Sequence, residues 1–184
     1  MRKNIFEYES NRQSIRLNGY DYSQNGFYYV TICTYQAQPF FGHIRNGIMC
    51  LSDIGSMAHS HWREIPRHFP NVKLDEFNVL PNHIHGIIEM GGLVGKHPSV
   101  GVQNFEPLPD GNCPRQHLYQ HTLSNSLGSI VRAYKSALTL WCRKSGHSDF
   151  RWQRLFYDHI IRSDESLQHI RHYVHYNTLK HSPE

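Results

Sequence analysis

Two β-rich runs, Val72–Leu80 (VKLDEFNVL) and His83–Met90 (HIHGIIEM), follow each other with only Pro81-Asn82 between them. No other feature of the chain restricts its fold as much. Both runs read as extended, and the proline interrupts the ladder because it lacks an N–H. The second run is either a new strand or a continuation of the first beyond a bulge. Side chains on a strand alternate between faces, so His83 and His85 point one way and Ile84 the other, toward a core. Gly86 leaves room for a close approach by backbone or ligand.

The remaining elements fit around this pair of runs. Phe27–Tyr35 (FYYVTICTY) reads as a buried strand. Residues 40–51, turning at Asn46-Gly47, suggest a hairpin. Ser52 or Asp53 is placed to cap a helix that runs to about Ile65, with Ile54, Met57, Ala58, Trp62 and Ile65 at helical spacing and Pro66 as its stop. Residues 91–125 are punctuated by glycine and proline and predict a mobile loop or insertion. A helix from about Ser126 to Lys144 carries Leu127, Ile130, Val131, Tyr134, Leu138 and Trp141. Residues 152–161 look extended. Ser163 then caps a last helix with Leu167, Ile170 and Val174 on its apolar stripe. The expected architecture is one α+β domain over 1–184. It has a ferredoxin-like antiparallel sheet, helices packed on one face, and the His-Ile-His run on a central strand.

Composition narrows the classes further. A chain of 184 residues, 39% of them hydrophobic, is long enough for one sizeable core. No apolar run approaches the roughly 20 residues that span a bilayer, and no signal peptide is evident at the start, so a cytoplasmic protein is expected. Cys33, Cys50, Cys113 and Cys142 form no C-x-x-C pair, and reduced thiols are the simplest reading. The net charge of +4 is mild. Its distribution is more telling, because Arg132, Lys135, Arg143, Lys144, Arg151 and Arg154 are opposed in that stretch only by Asp149. Such a run is either a solvated helix face or a surface for a polyanion.

Two imidazoles on one strand face can converge on one cation and leave its other positions open, as a catalytic metal requires. In a chain with 15 histidines, an H-x-H pair also arises by chance. A third ligand must come from elsewhere. The last helix offers His169, Tyr173 and Asn177, spaced by four and therefore on one face. Tyr173 would supply a nucleophilic oxygen and Asn177 a neutral ligand. On the residues alone, the simpler reading of Tyr173 is an amphipathic rim residue and of Asn177 a helix end.

Several stretches together resemble a known family. They are Ser14-Ile15-Arg16-Leu17 with Tyr20-Asp21-Tyr22-Ser23, Tyr29–Thr34, Leu80-Pro81-Asn82-His83-Ile84-His85-Gly86, Trp152-Gln153-Arg154, Asp158–Arg162, and Tyr173–His181. In this order they resemble the REP-associated tyrosine transposases, within the single-tyrosine HUH transposases and nucleases. The resemblance covers nearly the whole chain except 91–125. It implies an RRM-like palm, a divalent metal (Mg2+ or Mn2+) and a single-stranded or hairpin DNA substrate. It also implies that His83, His85 and Asn177 hold the metal and that Tyr173 is the nucleophile. One departure is visible: Thr178 stands where relatives usually have proline, so the last helix is expected to run slightly further.

The implied reaction is attack by tyrosine on a phosphodiester, giving a 5′-phosphotyrosyl link and a free 3′-hydroxyl that can be rejoined. Tyr134 is the main rival nucleophile, although its spacing argues for packing; Tyr157 reads as structural or DNA-facing. Arg12, Arg16, Arg132, Lys135 and Arg154 are candidate phosphate contacts, with Trp152 available for base stacking. A single chain is expected to complete the site, a homodimer being the alternative. Two other classes remain open at this point. A histidine-metal phosphoesterase using water would leave no covalent adduct. A non-catalytic nucleic-acid-binding ferredoxin-like domain would tolerate loss of both histidines.

Overall fold

The structure, a computed structural model, describes residues 20–91 and 125–177. Arg12, Arg16, Thr178 and almost all of the 91–125 segment lie outside the described residues. The main sheet is antiparallel and has four strands: β1 (Gly26–Cys33), β4 (Val72–Leu80), β5 (His83–Met90) and β6 (Tyr157–Ile161), in the order β4-β5-β1-β6. The hairpin expected at 40–51 forms a separate small sheet of β2 (Gly42–Arg45) and β3 (Ile48–Leu51). Asn46 and Gly47 both take positive φ at its turn, the geometry that suits an Asn-Gly pair.

Pro81-Asn82 is a two-residue turn: Leu80 pairs with His83 directly across it. The second run is thus a new strand and not a continuation of the first. The ladder between the two is irregular between Leu74 and Phe77. This bulge holds Asp75 and Glu76, which face the last helix.

Four α-helices complete the described residues: α1 (Asp53–Arg63), α2 (Ile65–His68), α3 (Leu127–Lys144) and α4 (Asp164–Tyr176). Each of α1, α3 and α4 is capped by a serine, Ser52, Ser126 and Ser163, whose hydroxyl accepts from the backbone N–H of Gly55, Ser129 and Ser166. Pro66 does not simply stop a helix at Ile65. It sits in the first turn of α2, where its missing N–H costs nothing.

Two apolar clusters sit on opposite faces of the sheet. One joins Tyr28, Val30, Ile32, Ile84 and Ile88 to α1 and α3, with Trp62 and Tyr134 buried inside it. The other joins Tyr29, Ile87 and Ile161 to Leu167 and Val174 of α4. The expectation of helices on one face therefore holds only for α1 and α3. The last helix covers the other face, because β1 and β5 are apolar on both sides and must be covered twice. Gly86 also differs from expectation. The space it leaves is filled from the core side by the Trp62 indole, whose Cζ2 would lie 2.2 Å from a Cβ at that position.

Candidate metal and tyrosine site

His83 and His85 open β5 and are almost fully buried. Their Nε2 atoms face each other at 3.0 Å. The Nδ1 atoms are held from behind. Asn82 Oδ1, an acceptor, lies 2.6 Å from His83 Nδ1, which therefore donates to it. Thr31 Oγ1 donates to Tyr29 Oη (3.1 Å) and lies 2.9 Å from His85 Nδ1. The Tyr29 hydroxyl lies 2.7 Å from the same nitrogen. With His83 Nδ1–H on Asn82, His83 Nε2 carries a lone pair that can accept from His85 Nε2–H or face a cation. Hydrogen bonds of this kind fix imidazole orientation in metal sites. The sequence reading missed Tyr29, Thr31 and Asn82 in this role. The signal for the first two was alternation along β1, which puts them on the same face as the histidines paired with that strand.

The last helix crosses this face and brings Tyr173 to it. The Tyr173 ring lies 5.4 Å from His85 and 6.4 Å from Tyr29, edge-on to Tyr29. Tyr173 is half-buried and Asn177, one turn on, is buried. Burial pushes the Tyr173 phenol above its usual range, and a hydrogen bond to Asn177 pulls it partly back. On the β4 side, Asn78 Nδ2 donates to Val174 O (3.3 Å). Arg171 donates through Nε to both oxygens of Asp75 (3.0 and 3.1 Å) and through a terminal nitrogen to one of them. His83, His85 and Tyr173 are thus gathered on one face from β5 and α4, with Asn177 hydrogen-bonded to Tyr173 one turn on. His169 is exposed. Among the described residues, no three or more His, Cys, Asp or Glu side chains are grouped to hold a metal ion.

Tyr134 lies on the other side of the sheet. It is buried among Trp62 and Trp152, and its hydroxyl donates to Ala58 O (3.0 Å). The expected DNA contacts are scattered. Arg132 and Lys135 line a groove of about 410 Å³ on α3 together with Ser136, Thr139, Leu140 and Arg143. That helix is across the sheet from the histidines. Lys135 Nζ donates to the carbonyls of Gln153 (2.7 Å) and Arg154 (3.2 Å); burial brings its ammonium down to about 8. Trp152 packs against Phe41, Phe150 and Tyr134, and its indole N–H donates to Lys135 O (3.1 Å). Its surroundings are those of a packing residue. Arg154 is exposed and follows Gln153, whose N–H donates to Cys33 O (3.0 Å); Cys33 pairs with His83. Of the described candidates, the segment holding Arg154 is the one tied to the strand beside the histidines.

No family model matches the chain. A Haemophilus influenzae relative, named "Uncharacterized protein", is 40% identical over 169 residues, which are 91% of this chain and 88% of that protein. The chain belongs to one family with it. A second H. influenzae protein, named "Putative REP-associated tyrosine transposase", is 24% identical over 162 residues, covering 88% of this chain and 74% of its own. A solved REP-associated tyrosine transposase, bound to a REP hairpin, superposes with a TM-score of 0.57 at 18% identity, covering 93% of this chain and 75% of that one. The chain is similar in sequence to a protein of that name and in fold to a solved one. Its α+β fold, an antiparallel sheet with helices on both faces, is the transposase's fold. None of the helices among the described residues is long and apolar enough to cross a membrane.

Proposed function

We propose that this chain is a metal-dependent enzyme that cleaves and rejoins single-stranded or hairpin-associated DNA, with Tyr173 as nucleophile. The observation that carries the reading is the meeting of two elements. Tyr173, bonded to Asn177, stands 5.4 Å from the ring of His85, and His85 Nε2 converges with His83 Nε2. The similarity to a transposase that binds a REP hairpin supports the same substrate class.

His83, His85 and the Asn177 amide oxygen are the residues that would hold Mg2+ or Mn2+. Their chemistry fits: two nitrogens 3.0 Å apart match adjacent corners of an octahedron with ligands about 2.1 Å from its centre. A bound divalent ion supplies Lewis-acid stabilisation of charge on the scissile phosphate. The sheet order β4-β5-β1-β6, with α1 and α3 between strand pairs, supports a ferredoxin-like palm with the histidines on an interior strand.

The protein's own part is positioning. Tyr29, Thr31 and Asn82 fix both imidazoles, and Asn177 orients the phenol. The Tyr173 oxygen bonds to phosphorus as its proton departs. The bond from phosphorus to the 3′-oxygen breaks, and that oxygen leaves as a hydroxyl after taking up a proton. The 5′-phosphotyrosine conserves the phosphodiester energy, so a 3′-hydroxyl can reverse the step. Arg154 and, further off, Arg132 and Lys135 contact phosphates in this reading; Arg12 and Arg16 are proposed as a second contact. Trp152 serves the fold first.

The test is incubation of the chain with Mg2+ or Mn2+ and hairpin-bearing single-stranded oligonucleotides, resolved on a denaturing gel. The wild type forms a covalent adduct. Tyr173→Phe abolishes it and Tyr134→Phe retains it; the reverse result refutes the assignment.

A further inference from the structure

The histidine-bearing face of the sheet is unevenly covered. On the β4 side it is closed by α4, through Arg171 to Asp75, Val174 to Asn78 and Tyr173 to His85. Among the described residues, the cover on the β6 side ends at Ile161, which packs against α4. In β6, Ile161, His159 and Tyr157 pair with Phe27, Tyr29 and Thr31, so these three side chains share the histidines' face. Tyr157 is 40% exposed and His159 is exposed. The acid between them, Asp158, is buried toward the opposite side.

The position of Tyr157 is specific. Thr31 pairs with Tyr157 on one side and with His85 on the other. Tyr157 therefore stands level with His85, two strand spacings away, or about 10 Å. Its ring rests edge-on against Tyr29 at 6.3 Å, which steadies it while leaving its outer face to solvent. Three residues earlier on the same segment is the exposed Arg154. Its backbone is fixed by the Lys135 ammonium on its carbonyl and by the Gln153 N–H on Cys33 O. A steadied aromatic face, three residues along the chain from an exposed cation and level with His85 on the same sheet face, matches a nucleic-acid strand in which bases and phosphates alternate.

We propose that Tyr157 is a stacking platform for an unpaired nucleobase of the substrate strand, adjacent to the phosphate at His83 and His85, with Arg154 on a neighbouring phosphate. A paired base keeps its faces within the helix stack, so this subsite selects single-stranded DNA beside the reacting phosphate without reading its sequence. The inference rests on the strand-cleavage reading above and names the substrate contact on the open side of that site.

The test uses equilibrium binding, so it does not depend on cleavage. The full chain carrying Tyr173→Phe is titrated by fluorescence anisotropy with a hairpin oligonucleotide bearing a single-stranded flank. A set of the same oligonucleotide carries one abasic site, moved along that flank. Tyr157→Ala is expected to weaken binding of the intact strand roughly 5- to 100-fold, the range for losing one stacked base. Tyr157→Phe and Tyr157→Trp retain affinity. At one abasic position the parent and the Tyr157→Ala variant bind equally, because the ring then has no base to meet. Binding indifferent to Tyr157, or an alanine effect equal at every abasic position, overturns this proposal alone. A parent protein that binds no single strand overturns the functional reading with it.

Discussion

A Cβ on Gly86 would fall 2.2 Å from Trp62 Cζ2 and 2.9 Å from its Cη2. Trp62 is fully buried and pressed between Phe77 and Tyr134, so it has no room to yield. Gly86→Ala is expected to destabilise the fold by about 1–3 kcal/mol through overpacking, read as a lower urea midpoint with an unchanged slope. An unchanged midpoint would mean that the indole moves aside. Sequence alone marked this glycine as a place of close approach but not the residue that approaches, since Trp62 and Gly86 are joined only by the packing of α1 on the sheet. The histidines were legible for a local reason, the alternation of side chains along one strand. Their supports on β1 were not, because Tyr29 and Thr31 meet them only through the pairing of β1 with β5.

At the scale of elements, the placement of α4 decides whether Tyr173 reaches the histidines. The helix is pinned to the β4 bulge by Arg171 on Asp75, with a looser His175–Glu76 contact at 3.8 Å that is worth little at the surface. Burial pushes the Asp75 carboxyl up, but hydrogen bonds from Arg171 and from the Glu76 N–H, with the charge of Arg171, outweigh it and hold the carboxyl below its usual value. A depressed carboxylate contributes stability above its unfolded pKa and loses it as the pH falls through the folded one. Arg171→Ala is therefore expected to cost about 1–3 kcal/mol near neutrality and less in acid. It should also speed hydrogen exchange in α4 and slow adduct formation. Exchanging the charges, Asp75→Arg with Arg171→Asp, should recover part of both. Equal exchange in wild type and variant would show that the pair does not hold the helix. The apolar stripe of α4 was plain in the sequence. The face it covers was not, although Ile87 and Ile88 carry the hint: adjacent strand residues that are both fully buried need cover on both sides.

For the whole molecule, the strand order β4-β5-β1-β6 brings β5 and α4 of one chain together, so the proposed site needs no second copy. This has a direct test. Tyr173→Phe is mixed with a His83→Ala, His85→Ala double variant, and adduct formation is followed on a denaturing gel. No adduct is expected, because each molecule lacks half of its own site. Recovery of adduct would mean that the tyrosine serves a partner's histidines. The order of strands and helices was readable from periodicity. The division of labour between the two faces depends on pairings distant in sequence and emerged only from the assembled sheet.

The turn at Pro81-Asn82 carries a consequence of another kind. Pro81 O accepts from Phe41 N (2.9 Å), Asn82 O accepts from Thr34 N (2.9 Å), and Asn82 Oδ1 accepts from His83. The turn sets which residues of β5 are odd and which are even, and parity alone keeps imidazoles on one side and Ile84 and Ile88 on the other. A substitution can weaken this site by degrees. A single residue added or lost between Leu80 and His83 would exchange the two sides at once, turning the histidines into the α1 and α3 core and Ile84 and Ile88 toward α4.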